Sequence, residues 1–142
     1  MDPNREFLSE IARNARMGKE ASVLLLDKVE DEQMRKEITQ RKAEYSDLEQ
    51  RADNLLSDSG TQPKPLPAKS KVGLWMGMQM ETLADKSTSH IAEIMMQGSN
   101  MAVIELTKDK KKFSGANQET MEWADAFLAM EEGGIQRMKE FL

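Results

Sequence analysis

The chain of 142 residues contains no cysteine. That absence removes thiol nucleophiles, thiolate zinc sites, iron–sulfur clusters and disulfides together. Histidine is nearly missing as well, with His90 the one imidazole. No stretch approaches the roughly 18 uninterrupted apolar residues of a membrane span, which predicts no membrane role. The first residues, "MDPNREFLSEIARN", lack the apolar core of a secretory signal, so a soluble cytoplasmic protein is expected. Basic excess is also lacking, because the net charge is −5. Nucleic-acid binders carry the opposite balance, and the basic run "KDKKK" (108–112) reads as a solvated helix end rather than a phosphate site. Nothing in the chain forms a nucleophile elbow, a glycine-rich phosphate loop or a His-Glu-x-x-His zinc motif.

What is present is helix. The chain is rich in Glu, Lys, Met, Leu and Ala and shows no period-two alternation. Three of its four prolines fall in "SDSGTQPKPLPAKSKVG" (57–73), the one obvious connection. The fold class expected is all-α, a single domain over 1–142 with helices at about 4–28, 32–57, 72–107 and 117–142 and a Pro-rich connection at 58–71. Asp31 and Asn117 are placed to cap the second and fourth helices. Helix two carries a heptad stripe, Met34, Ile38, Arg41, Tyr45, Leu48, Ala52 and Leu55, interrupted by Arg41. The stripe of helix four runs Met121, Ala124, Leu128, Glu131, Ile135, Met138 and Leu142. The polar patch "DKSTS" (85–89) marks a kink or restart within the third helical region. A chain of 142 residues can bury a sizeable single core, so neither disulfides nor metal are needed for folding.

Four helices with a connection long enough to run the bundle's length describe a crossover four-helix bundle. On that architecture the chain resembles the ferritin-like superfamily. The resemblance implies a carboxylate–histidine site for iron or manganese, built from Glu-x-x-His pairs on two helices. Here the position three residues before His90 is Ser87, and the order present is the reverse, His90-x-x-Glu93. The di-iron set is therefore incomplete, and no cofactor is expected. The stretch "HIAEIMMQGSNM" (90–101) is also similar to a small uncharacterised bacterial family, a resemblance that implies no activity.

Arg41 and Glu131 each hold a seam position that the rest of the helix fills with apolar residues. An unpaired buried charge is too costly, so a buried Arg41–Glu131 bridge is expected, with Tyr45 and His90 completing its bonds. The competing reading gathers His90, Glu93 and Glu131 into an atypical iron or manganese centre. The chain has 12 methionines, and these read as adaptable core filler ahead of copper ligands. "GLWMGMQM" (73–80) supplies a candidate interface: Gly73 and Gly77 permit close approach, while Trp75, Met76 and Met80 bring apolar area. The functional expectation is a non-catalytic bundle with a structural or regulatory binding role, self-associating or bound to a protein partner.

Overall fold

The computed structural model describes residues 2–62, 71–81 and 83–142, without the side chains of 71–73 and 80–81. Among them lie five α-helices, α1 (Pro3–Leu26), α2 (Glu32–Asp58), α3 (Lys71–Glu81), α4 (Thr88–Lys112) and α5 (Gln118–Met138), and a closing 3-10 turn (Lys139–Phe141). No strand occurs among the described residues, and none of their helices is long and apolar enough to cross a membrane.

Each long helix starts where a short polar side chain meets the first free backbone N–H groups. Asp2 accepts from Arg5 N at 2.9 Å, Asp31 from Met34 N at 2.8 Å, Ser87 from His90 N at 3.2 Å and Asn117 from Thr120 N at 3.0 Å. The Ser87 cap marks a restart where the sequence allowed either a kink or a restart within 72–107. Residues 83–87 are non-helical, and Asp85 also accepts from Ser87 N at 2.9 Å. Asp85 and Ser87 thus offer the backbone alternatives to helical bonding and divide the region into α3 and α4. α4 then runs on to Lys112, beyond the expected end, with Lys110, Lys111 and Lys112 at its carbonyl terminus, where cations are favoured.

α1 packs chiefly on α2, and α4 on α5, giving two antiparallel hairpins. At one end of the molecule Phe7 stacks on Phe113 at 5.6 Å between centroids, Asn4 Oδ1 accepts from Asn117 N at 3.0 Å, and Arg5 donates to Ser59 O at 3.2 Å. At the other end Leu25, Met34, Ile91 and Met138 share one apolar cluster. α1 and α5 therefore run one way, and α2 and α4 the other. The end of α2 and the start of α4 lie at opposite ends of the molecule. α3 falls between them in the chain and packs on α1 and α4. Residues 63–70 of the Pro-rich connection lie outside the described residues.

The core has two parts. One cluster gathers around Phe7, Ile11, Leu56, Leu106 and Phe127, the other around Leu25, Met34, Ile38, Ile91 and Met138. On α5 the buried row is Thr120, Ala124, Phe127, Glu131, Gly134 and Met138, in steps of four and three. It sits one residue off the expected stripe at three places, Thr120 replacing Met121, Phe127 replacing Leu128 and Gly134 replacing Ile135, and Leu142 is exposed. On α2 the buried residue is Leu56, with Leu55 only partly covered.

Candidate functional site

Between the two apolar clusters lies a buried polar waist. α2 contributes Arg41 and Tyr45, one turn apart on its inner face. α4 contributes Ser99 and α5 contributes Glu131. Arg41 is 0% exposed and Glu131 2%. Arg41 Nη2 donates to Tyr45 OH at 2.7 Å and to Ser99 Oγ at 2.9 Å, and it forms an ion pair with Glu131 Oε1. Tyr45 OH donates to the same Glu131 Oε1 at 2.5 Å, and Ser99 Oγ lies 3.4 Å from it. The two hydrogens of Nη2 face three oxygens, so Tyr45 and Ser99 act as relays, accepting from Arg41 and donating to Glu131.

Burial works against the Arg41 charge, but the Glu131 charge and the hydrogen bond to Tyr45 outweigh it and hold its pKa above the ordinary value. Burial also raises the Glu131 carboxyl, although Arg41 and three hydrogen bonds oppose the rise. Burial, followed by the nearby Glu131 charge, pushes the Tyr45 phenol well up, so it stays a neutral donor. Arg41 Nε and Nη1 are buried and make no hydrogen bond among the described residues. Such orphaned donors cost on the order of 1–3 kcal/mol each.

Two glycines make room for these side chains. A Cβ on Gly134 of α5 would fall 2.5 Å from Arg41 Cζ and closer still to Nη1. A Cβ on Gly18 of α1 would lie within 2.6 Å of three Tyr45 ring atoms. Glycine in a helix interior normally costs about 1 kcal/mol relative to alanine. Here it leaves the space that a guanidinium and a phenol ring occupy beside neighbouring helices.

The structure thus brings together Arg41, Tyr45 and Glu131 and leaves His90 and Glu93 out. His90 sits in the first turn of α4, its Nδ1 3.4 Å from Glu93 Oε2, with both side chains facing solvent. Ser99 lies nine residues further on, about 14 Å along the helix axis. The expectation that His90 completes the Arg41–Glu131 network is therefore corrected. Because α4 begins at Thr88, residue 90 marks a helix end rather than a midpoint, and Ser99 takes the place given to histidine.

The donor set does not fit iron or manganese. Glu131 Oε1 is committed to Arg41, Tyr45 and Ser99, and a guanidinium already supplies the buried positive charge. Among the described residues no three His, Asp or Glu side chains gather where a metal ion would need them.

The interface candidates divide by face. Met76 is buried, and Trp75 is half-buried beside Gly98 of α4. Gly77 is exposed, and among the described residues nothing lies within 4 Å of where its Cβ would stand. Leu74 and Met78 lie beside it on the outer face at 57% and 62% exposure. Gly73 and Met80 belong to α3, but their side chains lie outside the described residues.

No protein-family model, curated protein or solved structure matches this chain.

Proposed function

We propose that the chain is a non-catalytic binding protein built on a ferritin-like crossover frame, in which Arg41 occupies the waist in place of a metal. On this reading it works by association through α3 with a second copy of itself. The observation that carries the proposal is the outer face of α3, where exposed Leu74 and Met78 lie one turn apart beside Gly77. A glycine inside a helix lowers its stability by about 1 kcal/mol, and nothing described in this chain packs against Gly77. Close approach of another helix gives that glycine a purpose. Two copies meeting by the same face form a closed two-fold dimer, the commonest arrangement for a self-complementary patch.

The ferritin-like frame is supported by the two antiparallel hairpins and by the end of α2 and the start of α4 lying at opposite ends of the molecule. The non-catalytic reading is supported by Glu131, the one buried carboxylate of the waist, which is held by three partners. Sedimentation equilibrium tests the proposal directly. The wild-type protein is expected to be a concentration-dependent dimer and Leu74→Glu a folded monomer. A wild-type protein that remains monomeric at every concentration would overturn this reading.

A further inference from the structure

The waist network forms one end of a pocket. α1 and α4 meet beside it through small residues, Gly18 and Ser22 on one helix and Gly98, Ser99 and Ala102 on the other. Such residues hold the two helices near one another without filling the space between them. About 40 Å³ remains there, open to a water-sized molecule. That is several times the roughly 10–15 Å³ that one water needs. Met76, reaching in from α3, covers the space together with Met95 of α4 and Met17 of α1. Half-buried Asn14 and Ala102 lie at the rim, and Tyr45, Ser99 and Glu131 are buried at the deep end.

Three features define what fits. First, each hydrogen bond to Glu131 ends on Oε1, and among the described residues none ends on Oε2. A carboxylate 98% withdrawn from solvent on a pocket wall thus retains acceptor capacity. Second, Arg41 and Glu131 cancel in charge, and no lysine or arginine among the described residues lines the pocket. An ionic guest would bring an uncompensated charge into a desolvated site, which is strongly disfavoured. Third, the walls are mostly apolar, and methionine side chains adapt to irregular shapes.

We propose that the waist pocket binds a small neutral hydroxylated molecule with a short apolar tail. Its hydroxyl donates to Glu131 Oε2, and its tail lies among Met17, Met76 and Met95. The site lies on the inner side of α3, opposite the Leu74–Met78 face, so its occupancy is independent of self-association.

The test uses the full chain labelled with carbon-13 at its methionine methyl groups, titrated separately with 1-butanol, butylammonium and butyrate. The expected result is saturable shifts of the Met17, Met76 and Met95 methyls with 1-butanol alone. Ala102→Leu, which fills the rim without touching the network, should weaken that binding at least tenfold while the helical circular dichroism is unchanged. Ala21→Leu on the opposite wall replaces it if the first variant fails to fold. Absence of saturation with 1-butanol overturns the proposal. So do equal or tighter binding of either ion and unchanged binding in the filled variant.

Discussion

Arg41 is a fully buried charge held by three polar side chains. Its guanidinium is withdrawn entirely from water, and all its hydrogen bonds leave from one nitrogen. Desolvation of two ions roughly cancels their mutual attraction, so the pair sets register more than it adds stability. Removing one member is a different matter, since the other is left buried and unpaired. Arg41→Met and Glu131→Leu are each expected to cost about 3–5 kcal/mol in urea denaturation, and the double variant far less than their sum. Additive losses would show that the two side chains do not depend on one another. Arg41, Tyr45 and Glu131 were legible in the sequence because charge at apolar heptad positions demands a partner. Ser99, Gly18 and Gly134 were not. Small residues leave no mark in hydrophobic periodicity, and their role appears only once the bulky group from the neighbouring helix is in place.

At the scale of elements, the packing of α1 on α2 includes one charged cluster that reads out in pH. Glu49 of α2 accepts from Arg16 Nε at 2.6 Å and from Lys19 Nζ at 2.5 Å, with its side chain 13% exposed. Burial pushes the Glu49 carboxyl up, but the hydrogen bonds from Lys19 and Arg16, with their charges, outweigh it and hold it below the ordinary value. A lowered folded-state pKa contributes stability above the unfolded value, and this is lost as pH falls through the folded one. Glu49→Gln should therefore lower stability by on the order of 1 kcal/mol at neutral pH. In thermal melts the gap from wild type should close below about pH 4, where free carboxylates protonate. A gap that persists at lower pH would assign the loss to packing instead. Helix starts were readable from Asp31 and Asn117, because capping is local chemistry. The division into α3 and α4 was readable only as a polar patch, since nothing local says whether such a patch bends a helix or ends it. That ambiguity left His90 inside a long helical region instead of at a helix start, which kept the competing metal centre open.

At the scale of the whole molecule, the all-helical class followed from residue preference and 3.6-residue periodicity. The position of α3 across α1 and α4 did not follow, because it depends on Met76 and Trp75 meeting a gap left by small residues on two other helices. The waist also sets an order of events. Within each hairpin contacts are local, joined by short connections around residues 27–31 and 113–117, so each closes quickly. The network is divided between the hairpins, Arg41 and Tyr45 on one, Ser99 and Glu131 on the other. It can form only when the two dock, after most of the apolar surface has met. Interactions made after the transition state govern how long the native protein lasts rather than how fast it is reached. Ser99→Ala is accordingly expected to accelerate unfolding in a stopped-flow chevron and leave the folding limb where it was. A slowed folding limb would place the network in the nucleus. The polar waist thus acts as a latch, closing last and setting the lifetime of the closed state.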